Sequence, residues 1–211
     1  MTPPRPSNVP GTAPGSVFVG VSGASGAPYA VRLVRALGAA GARLQLSISE
    51  SGVQVLAHEL ELTAAGREAV TAAFLERAGA TAQVFAPDDL GALPASGSSA
   101  PDAVVICPCS MSTAAHIALG ASRTLMQRAA DVALKEGRPL VVVPRETPLT
   151  AIHLRRLLEL AEAGAVVLPA MPGFYSRPQT LQDAVDHVAG KVMSALGFAH
   201  DLFPPWDGGR A

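Results

Sequence analysis

The residues able to do chemistry fall in five short stretches: Ser22-Gly23-Ala24-Ser25-Gly26, Ser49-Glu50, Pro108 to Thr113, Pro144-Arg145-Glu146, and Pro169 to Tyr175. Glycines allow close backbone approach. Hydroxyls and backbone N–H groups donate to oxyanions, and one guanidinium adds charge. That set suits a phosphate monoester. Each hydroxyl alone also suits a helix N-cap. Their gathering in one place favours a ligand. The first loop, VSGASGAP (21–28), is neither G-x-G-x-x-G nor G-x-x-x-x-G-K-[ST]. The second stretch ends in Ser49-Glu50 rather than in a clean acidic ribose partner, which argues against an NAD-linked dehydrogenase.

Each stretch follows an apolar run. Strands are expected at 16–21, 44–49, 83–86, 103–107, 140–143 and 165–168. The first and the last three are continuous rather than alternating, as in strands buried on both faces of a parallel sheet. Helical patterns lie between them. Ala30, Leu33, Val34 and Leu37 share one face, and later helices end at Gly137, Gly164 and Gly197. The alternation predicts a single-domain, doubly wound Rossmann/flavodoxin-like α/β sheet with helices on both faces. In such a sheet, ligands sit outside the carboxyl ends of the strands. All five stretches occupy that place. Segment 87–102, polar and rich in small residues, reads as a long functional loop.

The 211-residue chain is 49% hydrophobic and only 16% charged, which points to apolar surface buried between subunits. No run reaches the roughly 18 apolar residues of a membrane span. A net charge of -1 with no like-charge block gives nucleic-acid binding no electrostatic footing. Residues 1–15 read as a proline-rich disordered tail, 16–205 as the domain, and 206–211 as a C-terminal tail anchored by Trp206. Cys107 and Cys109 read as buried thiols of a reducing cytoplasm. No Cys/His ligand pattern and no D-D-x-x-D run occurs, so no metal is expected.

VSGASGAPYAVRL (21–33), ASGSSAPDAVVICPCSMSTAAHIALG (95–120), RAADVALKEGRPLVVVPRETPL (128–149) and the segment 164–197 resemble the UbiX family of flavin prenyltransferases. The likeness runs from about residue 16 to about 205. It implies a cytoplasmic enzyme that takes reduced FMN and dimethylallyl monophosphate and joins the prenyl carbons to flavin N5 and C6. The product then serves UbiD-type decarboxylases. It also implies a homo-oligomer, a dodecamer of trimers, with sites at subunit boundaries.

Position by position, the resemblance places Gly23, Ala24, Ser25, Ser49, Ser110, Met111, Ser112, Thr113 and Arg145 around FMN. It places Lys135, Tyr175 and Lys191 on the dimethylallyl phosphate, and Glu59 and Glu146 at the reaction site, with Glu146 a candidate acid. Ser25 is given a relay or orienting role near N5, which a hydroxyl suits because it both donates and accepts. Segment 95–99 covers the substrate. Lys191 stands where the family often has arginine, a point charge in place of a planar fork. Leu90 stands where some members carry an aromatic residue able to stabilise an allyl cation. Lys135, Arg145 and Lys191, with Tyr175, would replace Mg²⁺ on the leaving phosphate.

Two rivals share the scaffold. A flavin-dependent cysteine decarboxylase would carry P-x-M-N-x-x-M-W after the last strand. Here PAMPGFYSRP keeps Pro169 and Met171 but lacks the Asn and Trp. A non-catalytic FMN carrier would need no second cationic set.

Overall fold

The computed structural model describes residues 12–206 and Gly208. Most of the expected N-terminal tail, and most of 206–211, lies outside the described residues. Six parallel strands form one sheet: β1 (Ser16–Val21), β2 (Arg43–Ile48), β3 (Gln83–Val84), β4 (Ala103–Cys109), β5 (Leu140–Pro144) and β6 (Val166–Val167). Their order is β3-β2-β1-β4-β5-β6. This is the dinucleotide-fold order, which reverses direction between β1 and β4.

The centre of the sheet follows from composition. Every residue of β4 and of β5 is buried. Side chains with no polar atoms survive that on both faces, and each fully buried Val or Ile contributes roughly 1.5–3 kcal/mol over exposure. The edge strands β3 and β6 are only two residues long and partly exposed, which limits the unpaired edge.

Among the described residues seven helices cover the two faces: α1 (Ala27–Ala39), α2 (Glu50–Glu59), α3 (Arg67–Ala78), α4 (Met111–Ala118), α5 (Leu125–Lys135), α6 (Ala151–Glu162) and α7 (Leu181–Ala195). Helices α1, α2, α3 and α7 enclose Val17, Val19, Val21, Leu46 and Val105 on one side. Helices α4, α5 and α6 enclose Phe18, Val104, Ile106 and Val142 on the other. The four α1 residues expected on one face are all buried. The glycines expected to stop α5, α6 and α7 each follow their helix with positive φ.

Two differences matter for the site. Strand β4 runs on through Cys109, with a register irregularity against β5 after Ile106. The residues after it are not a loop: Ser110 caps α4, and Met111, Ser112 and Thr113 form its first turn. Segment 87–102 is irregular except for one 3-10 turn at Leu93–Ala95.

Candidate active site

Helices α1, α2 and α4 all begin at the carboxyl edge, where β1, β2 and β4 end. Their N-termini present orphan N–H groups and the positive end of the helix dipole to that edge. The side chains there first hold the loops to one another. Ser22 is buried; its hydroxyl donates to the Pro108 carbonyl at 3.0 Å and accepts the Ser110 N–H at 2.7 Å. The loop after β1 is thereby stitched to the β4–α4 junction, across the topological switch point.

Gly23 stands against α2. A Cβ on it would lie 2.2 Å from Ser51 Oγ and 2.5 Å from Ser51 Cβ. Gly23→Ala must push the two loops apart, an overpacking cost of about 1–3 kcal/mol. The expected result is an FMN Kd raised about tenfold in a flavin-fluorescence titration. Unchanged affinity would show that Ser51 yields without moving the loop.

Glu59, the last residue of α2, reaches back to the start of α1. Its Oε2 accepts the N–H groups of Gly26 at 2.9 Å and Ala27 at 2.8 Å. The Ser25 side chain faces the same carboxylate. Partial burial alone would raise its pKa. The Ser25 side chain, the two N–H groups and the Arg145 charge together outweigh that and hold the carboxyl below its ordinary range. Glu59 is an ionised cap on the N-terminus of α1. Arg145, just past β5, donates from Nε to the Ser25 carbonyl at 3.0 Å. Its own N–H bonds the Cys109 carbonyl at 3.2 Å. Exposed Ser25 is thus held through its carbonyl by Arg145, with its side chain facing Glu59.

The other expected flavin residues divide. Ser49 caps α2, accepting the Gly52 N–H at 2.9 Å. Ser110 caps α4, accepting from Thr113 N at 3.2 Å and donating to Thr113 Oγ1 at 3.0 Å. Both hydroxyls are helix caps, and that of Ser110 also spends its hydrogen on Thr113. Ala24, Met111 and Thr113 are buried, and Ser112 is exposed. Glu146 is exposed beside Arg145; its Oε1 accepts the Thr147 N–H at 3.1 Å.

The three residues expected on the leaving phosphate do not meet. Tyr175 lies on the loop after β6, at the carboxyl edge, and packs edge-on against His187 at 5.6 Å and Trp206 at 5.9 Å. Lys191 is one turn beyond His187 on α7 and close enough to bear on its charge. Lys135 ends α5 at the other edge of the sheet. It pairs there with Glu136 and faces Gly97, which precedes β4. The seven residues of β4 put roughly 20 Å between the two edges. One chain cannot bring Lys135 to Ser25.

Two groups were not foreseen. Tyr29, in the first turn of α1, lies half-buried with its ring against Gly26. Burial and the nearby Cys107 push its hydroxyl up, and Arg145 pulls it down. His187, on α7, is 7% exposed and holds the Tyr175 loop. Both signals lie in tertiary contacts that the sequence does not print. Burial pushes Cys107 up to about 12 and Cys109 upward as well, so both are protonated, buried free thiols. Among the described residues no group of three His, Cys, Asp or Glu could hold a metal ion.

The family model described as Flavoprotein matches residues 12–194. The chain is 46% identical over 197 residues to the flavin prenyltransferase UbiX of Pseudomonas aeruginosa, covering 92% of this chain and 94% of that protein. It is similar to the solved structure of AnUbiX in complex with FMN and dimethylallyl pyrophosphate, with TM-score 0.82 and 34% identity over 92% of this chain and 97% of that one. It is also similar to a dodecameric FMN-dependent UbiX-like decarboxylase from Escherichia coli O157:H7, with TM-score 0.81 and 39% identity over 92% of this chain and all of that one.

Proposed function

The chain belongs to the UbiX family of flavin prenyltransferases, and from that premise we propose that it transfers the dimethylallyl group of dimethylallyl monophosphate to N5 and C6 of reduced FMN. The observation that carries the reading is the placing of Ser25 at the switch point, its carbonyl held by Arg145 and its side chain facing the Glu59 carboxylate. The loops fit a flavin mononucleotide: Gly23 leaves no room for a side chain of its own, and three helix N-termini face the edge where a phosphate would sit.

Reduced FMN supplies a nucleophilic N5 and then C6. A hydroxyl that donates inward to an ionised carboxylate turns its lone pairs outward. Ser25 Oγ is therefore oriented to accept a proton at that edge and pass it to Glu59. Arg145 holds the Ser25 backbone while this occurs, and its charge keeps Glu59 ionised until the proton arrives. Glu146, exposed on the next residue, is placed to protonate the departing phosphate. Tyr175 and Lys191 bind that phosphate from one chain. Lys135, from the opposite edge, reaches it only from a neighbouring copy.

This reading requires a homo-oligomer, which we take to be a dodecamer of trimers. The product would pass to a UbiD-type decarboxylase. Among the described residues no helix is long and apolar enough to cross a membrane, and we assign the enzyme to the cytoplasm. The test is anaerobic incubation with reduced FMN and either the monophosphate or the diphosphate donor, followed by mass spectrometry. A prenyl-flavin adduct from the monophosphate is expected. No adduct from either donor would overturn the reading, and an adduct from the diphosphate alone would correct the donor.

A further inference from the structure

Tyr175 sits on an irregular segment, 169–180, whose tip is tied down at one point. The Gly173 N–H donates to His187 Nδ1 at 3.2 Å. A Cβ on Gly173 would lie 3.1 Å from both the His187 ring and the Tyr175 ring. The backbone, the imidazole and the phenol are thus in mutual contact, and a side chain at residue 173 would need the rings to give way. The other face of the cluster is closed by the C-terminal segment: Phe203 packs on His187 at 4.8 Å, and Trp206 packs on Tyr175.

We propose that His187 is a positioning residue for the prenyl donor, its neutral ring holding the Gly173–Tyr175 loop so that the Tyr175 hydroxyl meets the donor phosphate. The inference rests on the reading of Tyr175 given above. Accepting through Nδ1 leaves the proton on Nε2, which is buried and has no partner among the described residues. A buried polar atom left so is costly, and a merely packing role would be filled better by leucine. The ring is kept neutral by its surroundings. Burial, and then the Lys191 charge one turn away, lower its pKa. The other titratable neighbours are Tyr175 itself and His200, which packs on Phe203 from the C-terminal segment and is hydrogen-bonded to Ser194. Asp183, one turn earlier on α7, is committed to capping that helix. Protonation of His187 would set an N–H against the Gly173 N–H and release the loop. Because the folded pKa is depressed, release occurs only as pH falls below the ordinary histidine value of about 6.5.

The test pairs two substitutions with a spectroscopic reading. His187→Leu keeps the bulk and removes the acceptor. His187→Asn keeps an acceptor near the Nδ1 position. The expected result is a donor KM raised about fivefold in His187→Leu, the size of one neutral hydrogen bond, and recovered in His187→Asn. The FMN Kd should be unchanged in both. Trp206 is the sole tryptophan of the chain and reports on the Tyr175 contact. Its emission should shift below about pH 6.5 in the wild type and in His200→Asn, and not in His187→Asn. A wild-type KM in His187→Leu together with an unchanged emission transition in His187→Asn would overturn the inference. Equal damage in both variants would reduce His187 to packing. If the emission result holds but neither His187→Leu nor Tyr175→Phe moves the donor KM, the loop contact stands and the reading of Tyr175 falls.

Discussion

Glu59→Gln is expected to lower kcat for prenyl transfer about 100-fold while leaving FMN affinity within a few-fold of the wild type, and Glu59→Ala should lose both. The difference comes from what each side chain can accept. The carboxylate takes two backbone N–H groups at the start of α1 and faces the Ser25 hydroxyl. The glutamine oxygen can still accept both N–H groups, so the loop holds its shape. The amide nitrogen then faces Ser25 as a donor. Ser25 must accept, and its own hydrogen turns outward, toward the ligand. The direction of the relay is reversed with no atom displaced. Alanine leaves the Gly26 and Ala27 N–H groups open and lets the loop relax. Anaerobic stopped-flow turnover with a parallel flavin titration separates the two. A kcat in Glu59→Gln within threefold of the wild type would remove proton transfer from its role. The same contact has a pH signature. Its folded pKa lies below the unfolded value, so its stabilisation is complete above about pH 4.5 and is lost as pH falls through the folded pKa. Wild type and Glu59→Gln should therefore converge in thermal stability as pH falls below that point.

The six strands were legible because β1, β4 and β5 must be apolar on both faces, and nothing but a buried parallel strand reads as FVGV, AVVIC or LVVV over so few residues. Helix α4 was not. Its first turn, Met111-Ser112-Thr113, follows a serine, and hydroxyl residues after a strand look like loop until the Ser110 cap is seen. For the site, sequence gave the residue types and the edge they occupy, but not what each faces. Glu59 caps a helix that begins 32 residues earlier, and no pattern around residue 59 announces that bond. Ser49 and Ser110 were read as ligand donors and are helix caps first, which is the more frequent use of a hydroxyl in that place. The grouping of Lys135 with Tyr175 and Lys191 shows a different limit. A family pattern pools the residues of a site whichever copy supplies them, and position along a chain carries no record of the copy.

That limit leads to the most decisive experiment on assembly. Lys135→Ala and Glu59→Gln should each fall to about a hundredth of the wild-type activity or less alone, and co-expressing the two should restore activity. Lys135 and Glu59 lie at opposite edges of the sheet, so a working site draws one from each of two copies. With equal expression and random assembly, a site has an intact Glu59 half the time. It then has an intact Lys135 from its neighbour half the time. About a quarter of the wild-type activity per chain should return. If every site were built from one chain, each chain in the mixture would still carry a defect, and activity would stay at background. Cell lysates mixed after separate expression provide the control, because subunits that do not exchange cannot complement. A third outcome would be equally informative about residue 135. Full activity in Lys135→Ala alone would leave that side chain as the surface partner of Glu136 that it makes within its own chain. The leaving phosphate would then depend on Tyr175, Lys191 and Arg145.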